Sequence, residues 1–204
     1  MRIVKAYCVL ILFFVLTFKG FAQLEKGHFM VGGNISFEKS KTELPQNGPN
    51  VSDHKQLTFS IDPDISYFLA DNLALGVVTP FSYSKNSNSM QDQASKTYSV
   101  GPKLRYYFPS GRWAIFPEVS YTIGWNTTEG SIFSPDVGEV IEAKAKGNTS
   151  MFSGGLGGAY FINDHVAIEG VLFYKKYQLD YEENFFTDVD ISSFNFKAGL
   201  QFFL

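Results

Sequence analysis

After residue 27 the chain alternates between apolar and polar positions with a period of two. That pattern marks strands whose two faces meet different surroundings. In the first strand Phe29, Val31, Gly33, Ile35 and Phe37 share one face, and Met30, Gly32, Asn34, Ser36 and Glu38 share the other. The second sets Leu57, Phe59, Ile61, Pro63, Ile65 and Tyr67 against Gln56, Thr58, Ser60, Asp62, Asp64 and Ser66. The apolar faces of the next five run from Leu73 to Tyr83, Tyr98 to Phe108, Trp113 to Trp125, Phe152 to Tyr160 and Val166 to Tyr174. The stretch FNFKAGLQFFL, residues 194 to 204, supplies the eighth, with Phe203 falling on the polar side. No segment shows a helical period.

The lengths of the connections alternate as well. Leu69-Ala70-Asp71, Pro109-Ser110-Gly111-Arg112 and Ile162-Asn163-Asp164 make tight turns, whereas 39–55, 85–95, 126–148 and 180–190 read as long polar loops. Short and long links on opposite rims belong to an even-stranded up-and-down barrel. Pro63, Pro80, Pro102 and Pro117 fall inside the strands, and each removes a ladder donor. Bulges or gaps are therefore expected beside them.

Which face is wet decides the class. The apolar face is almost free of charge and carries Phe, Tyr and Trp towards both ends, while the polar face holds Asp62, Asp64, Lys103, Arg105, Glu118, Glu169 and Lys197. A soluble barrel would have to fill a dry core badly, with many serines, threonines and glycines. The inverse arrangement puts the apolar band and aromatic girdles towards lipid and pairs the polar groups inside. Only a closed barrel spares a sheet unpaired backbone groups in hydrocarbon. The predicted fold is all-β: an eight-stranded antiparallel up-and-down transmembrane β-barrel with short periplasmic turns and long extracellular loops. If Phe108 opposes Trp113, Lys103 lies across from Glu118. The seven charged residues then form a structural polar network in a lumen too narrow to conduct.

Residues 1–22 change the picture by placing the barrel outside the cytoplasm. Arg2 and Lys5 precede an apolar run from Ala6 to Leu16 and the small-residue site Gly20-Phe21-Ala22. This is the layout of a secretory signal peptide, and the run is shorter than the about 20 residues of a spanning helix. Cleavage after Ala22 leaves one barrel domain, 23–204. Cys8, the single cysteine, lies in the leader, so the exported part holds neither disulfide nor thiolate metal site. The leader carries three of the 17 basic residues (Arg2, Lys5, Lys19) and none of the 20 acidic ones, which leaves 14 against 20, a charge of −6. Such a chain is a poor partner for nucleic acid, whose binding depends on basic side chains.

With its leader, eight alternating strands, one-sided loops and terminal strand, the chain resembles the small OmpA/OmpX-like outer-membrane barrels of the outer membrane protein β-barrel domain family. The resemblance spans 23–204. It implies an outer membrane of the Gram-negative type, with membrane lipids and lipopolysaccharide as surroundings. It also implies a last strand read by the barrel-assembly machinery through Phe196, Ala198, Leu200, Phe202 and Leu204. The usual final residue of that signal is Phe, and here it is Leu204.

Candidate chemistry is sparse. The alternation puts His28 and His165 at the periplasmic rim, and His54 stands beside Asp53 in the first long loop. A lone Asp-His pair is more often solvated surface than part of a triad. GGLGG at 154–158 lacks the Lys-Ser/Thr and the helix of a phosphate loop, so a close approach in the wall is expected instead. The acidic stretch DYEENFFTDVD, 180–190, lacks the spacing of a calcium loop. No catalytic residue, metal site or cofactor is assigned. The expected role is a non-enzymatic, monomeric barrel that supports the envelope or meets an extracellular ligand or surface through its loops. A lipid A-modifying enzyme and a narrow channel are the alternatives.

Overall fold

Phe29 and Leu204 exchange backbone hydrogen bonds, N–O 3.1 and 2.8 Å, at the base of the ladder that joins the first strand to the last. The computed structural model describes residues 24–44, 52–87, 92–134, 139–181 and 189–204; the expected leader, 1–22, lies outside them. Ten strand segments result: β1 Phe29–Leu44, β2 Ser52–Ala70, β3 Leu73–Val78, β4 Phe81–Ser87, β5 Asp92–Tyr106, β6 Phe108–Ser110, β7 Trp113–Ser134, β8 Glu139–Asn163, β9 Val166–Tyr181 and β10 Val189–Phe203. β3 with β4, and β5 with β6, each form one barrel strand. All neighbours are antiparallel, and β1 pairs with both β2 and β10, so eight strands close a ring.

The interruptions follow the prolines. Ladder pairing between β2 and its neighbour stops at Ile61↔Phe81 and resumes at Asp64↔Val78 in the same register. Within the break the Thr79 amide donates to the Pro63 carbonyl at 2.9 Å, and proline has no N–H to return the bond. Pro80 lies in the same break. Pairing of β5 with β7 likewise skips from Val100↔Ile123 to Lys103↔Ser120, beside Pro102. A further gap beside Pro117 separates Arg105↔Glu118 from Phe108↔Ile115. These are gaps without a change of register.

The strands are longer than the alternation predicts. β7 and β8 remain paired from Asn126↔Gly147 to Ser134↔Glu139, across most of what reads as the loop 126–148. β1 and β2 likewise pair as far as Leu44↔Ser52. Beyond the lipid belt both faces of a hairpin are wet, so alternation no longer marks strand. Residues 45–51, 88–91, 135–138 and 182–188 lie outside the described residues.

Opposite the long hairpins the turns contain two residues. Asn72, at φ 67°, and Gly111, at φ 58°, adopt the left-handed region there, as Asn and Gly do most readily. SYFLADNLALG (66–76) and AYFINDHVAIEG (159–170) share more than composition. Each has a register shift just before its turn, between Phe68 and Ala70 and between Phe161 and Asn163.

The outer surface would be untenable in water. Phe194, Leu156 and Leu172 are 84, 70 and 67% exposed, within a continuous apolar belt. Aromatic pairs mark both borders: Phe29–Tyr67 and Trp113–Tyr160 near the tight turns, Phe81–Tyr98 and Tyr174–Phe194 at the far side. Val119 lies midway between Trp113 and Trp125 along β7 and faces outward. Val119→Arg should lower folding stability in lipid vesicles by about 2–4 kcal/mol, measured by urea titration, because a cation at mid-bilayer is costly.

Candidate functional site

The interior is layered, and the layer nearest the tight turns is aromatic. Met30, Phe68, Tyr107, Phe116, Phe161 and Phe203 are fully or almost fully buried there, with Leu24 beneath them. Phe203 sits 5.3 Å from Phe161 and 6.3 Å from Tyr107, ring centre to ring centre. Residues 24–28 fold across this mouth. The Leu24 carbonyl accepts from the Asn72 amide at 2.6 Å, the Asn72 carbonyl from the Tyr107 amide at 2.8 Å, and the Phe68 carbonyl from the Gly27 amide at 3.0 Å. Apart from Leu24, the sequence signal is visible as aromatic or apolar residues on the polar face, all within a few positions of a strand end.

Above the plug the seven charged residues converge. Arg105 Nη1 donates to both oxygens of Glu169 at 2.7 and 2.8 Å and to the Tyr107 hydroxyl at 2.7 Å. Its Nη2 and Nε donate to Glu118 Oε2 at 2.6 and 3.2 Å. The guanidinium also lies 4.1 Å from the centre of the Phe116 ring, a cation–π contact. Lys197 Nζ reaches Glu118 Oε1 at 2.7 Å and Asp62 at 3.9 Å. Lys103 pairs with Asp64, whose other oxygen accepts from Gln201 Nε2 at 3.1 Å.

The expected facing of Lys103 and Glu118 is corrected by this geometry. Arg105 lies across from Glu118, and Lys103 across from Ser120. The sequence reading used a four-residue turn; the actual turn is Gly111-Arg112, with Ser110 opposite Trp113. A slip of two residues keeps each side chain on its face but changes its partner. Tyr107 and Gln201 also belong to the network, and the sequence carries no distinctive signal for an uncharged residue on a polar face.

The GGLGG run serves the same packing. Gly155 and Gly157 face the lumen, and a Cβ at Gly157 would meet the Phe116 ring, while one at Gly155 would lie 2.8 Å from Phe173 Cβ. The glycines admit the rings that flank Arg105 and Lys197. His28 and His165 stand at the rim of the tight turns, where their carbonyls accept from the Phe68 and Phe203 amides. The His54 backbone pairs with Thr42 in the β1–β2 hairpin, not in a loop; its side chain lies outside the described ones. Among the described residues no three metal-ligating side chains cluster.

On the far side the lumen opens into a vestibule of about 320 Å³. Asp62 lines its lower part, and Glu38 and Lys175 pair across it at 3.0 Å. The family model of the outer membrane protein beta-barrel domain matches residues 8–202. The chain belongs to this family. Among solved structures this outer-membrane barrel is similar to a major outer membrane protein from Thermus thermophilus (10% identity, 87% of this chain and 99% of that one covered, TM-score 0.50). It is also similar to OprG from Pseudomonas aeruginosa (15% identity, 89% and 98% covered, TM-score 0.49) and Neisserial surface protein A (15%, 87% and 99%, 0.47). At such identities the likeness concerns the fold. No curated protein matches the chain.

The Arg105 cluster ties the outer-membrane barrel together from inside, since its carboxylates come from β7 and β9. Arg105→Met leaves Glu118 and Glu169 without their main cation and should cost about 3–5 kcal/mol in vesicle unfolding. Replacing Arg105, Glu118 and Glu169 together by apolar residues of similar volume should cost far less.

Proposed function

We propose that this barrel is a non-enzymatic outer-membrane protein that supports the envelope and offers its extracellular hairpins to surface partners. The observation that carries the reading is the asymmetry of the molecule. One half of the lumen is filled by the aromatic layer and the ion network. At the other rim the β7–β8 ladder continues nine pairs past Trp125↔Asn148, about 30 Å along the strands. A filled base disfavours transport, and a stiff projecting hairpin suits contact. Placement of His28 and His165 at the opposite rim from the hairpins removes two of the three histidines from outer-leaflet chemistry, which favours this reading over a lipid A-modifying enzyme.

The same proposal includes export through a leader cleaved after Ala22 and insertion by the barrel-assembly machinery into a lipid and lipopolysaccharide membrane, as a monomer. Phe196, Leu200, Phe202 and Leu204 all point outward from β10, and Ala198 shares their side. Phe203 points inward to the plug, so deleting the last three residues would remove packing and signal together. Phe202→Ser with Leu204→Ser leaves the plug intact. It should lower the fraction of heat-modifiable, membrane-inserted protein in cells while leaving refolding from urea into detergent intact.

For the hairpins, cells lacking the protein are complemented with the full chain or with one in which residues 127–146 are replaced by a two-residue turn. The short form should restore detergent resistance but not attachment to surfaces. Planar-bilayer recordings should show no discrete conductance, and lipid A mass spectra should be the same with and without the protein. A changed lipid A profile would support the enzyme instead.

A further inference from the structure

The vestibule above the ion network is two-sided. Register places Ser36 opposite Ser60, Ser60 opposite Ser82, Ser82 opposite Thr97 and Thr97 opposite Asn126, a row of inward hydrogen-bonding groups across five barrel strands. One step further out, Thr58, Ser84, Ser95 and Thr128 repeat the row. The hydroxyls of Ser36, Ser60, Ser82 and Ser99 have no protein partner among the described residues. They can both donate and accept. The remaining wall is different: Phe173 and Tyr177 of β9 line it with Met151. The Tyr177 hydroxyl lies beside Thr97 and Asn126.

Charge narrows the ligand class. Lys175 is paired with Glu38, and Lys197 with Glu118 and Asp62. Lys175 is the one cation among the described residues that line the cavity, and its pairing leaves no cation over for an anion. The cavity, about 320 Å³, is of small-molecule size. A neutral ring with an apolar C–H face and hydroxyls around its edge would meet the aromatic wall on one side and the serine rows on the other. We infer that the vestibule binds a pyranose unit of a saccharide, with Tyr177 and Phe173 as the stacking wall and the Ser36–Ser60–Ser82 row as the hydrogen-bonding wall. This inference rests on the reading of the barrel as a surface-interaction protein and names the ligand chemistry it would use.

The test uses the full mature barrel refolded in detergent micelles and saturation-transfer NMR. The probes are the methyl glycosides of glucose, galactose, mannose, N-acetylglucosamine and rhamnose, with inositol hexakisphosphate as an anionic control. At least one glycoside should bind in the millimolar range. Ser82→Leu, which fills the cup, and Tyr177→Ala, which removes the stacking wall, should each weaken it about tenfold or more. Phe194→Ala on the lipid face should not. Folding of every variant is checked by heat-modifiable migration; if Tyr177→Ala fails to fold, Ser82→Leu with Ser60→Leu decides. No transfer to any glycoside at tens of millimolar, equal binding by the filled variants, or binding of the phosphate control alone would overturn the inference. Loss of attachment in the hairpin-shortened cells, with no glycoside bound, would leave the surface reading standing and reject only the saccharide site.

Discussion

Hydrocarbon offers the backbone no hydrogen-bond partner, and that constraint shapes everything else in this chain. A strand crossing the membrane must pair on both sides, so the sheet has to close. Here closure is made by β1 and β10, down to the bonds between Phe29 and Leu204. Once the ring exists, the outward face can only be apolar, and the aromatic pairs settle at its two borders. The prolines sit where a ladder bond is already missing, so they remove a donor without shifting the register of the barrel.

Closing a sheet of only eight strands leaves a bore that side chains must fill. The chain fills it in three distinct ways along the axis. At the tight-turn end six aromatic or thioether side chains and Leu24 exclude water. In the middle Arg105 is shared by Glu118 and Glu169, and Lys103 and Lys197 balance Asp64 and Asp62. At the hairpin end hydroxyls predominate around the Glu38–Lys175 pair, and the bore holds a cavity. Each buried ion has a partner from another strand, which offsets the desolvation that an isolated charge would suffer. The order of the layers, dry to ionic to wet, gives the molecule one filled end and one that holds a cavity.

Alternation made the membrane-spanning strands, their lipid faces and the inward direction of all seven charged residues legible, because each side chain there meets one of two opposite solvents. It was silent where that contrast ends. Asn126 to Ser134 and Glu139 to Gly147 look like loop because water wets both of their faces, yet backbone pairing carries them on as a hairpin. The partner of Glu118 is not legible in the alternation, because periodicity fixes a face but not a register, which depends on whether a turn has two residues or four. Leu24 was hidden by lying outside any periodic stretch. Phe203, by contrast, was visibly out of phase, and its partners Phe116, Phe161 and Tyr107 carried the same signal on other strands.

The central claim is that the first and last strands seal the barrel. Amide hydrogen exchange, resolved by residue on the protein reconstituted in lipid vesicles, reads that seam directly. The account predicts that amides of Val31 to Ile35 and of Ala198 to Phe203 are protected as strongly as those in the middle of the β8–β9 ladder. Rapid exchange confined to β1 and β10, as at the free edges of an open sheet, would contradict it.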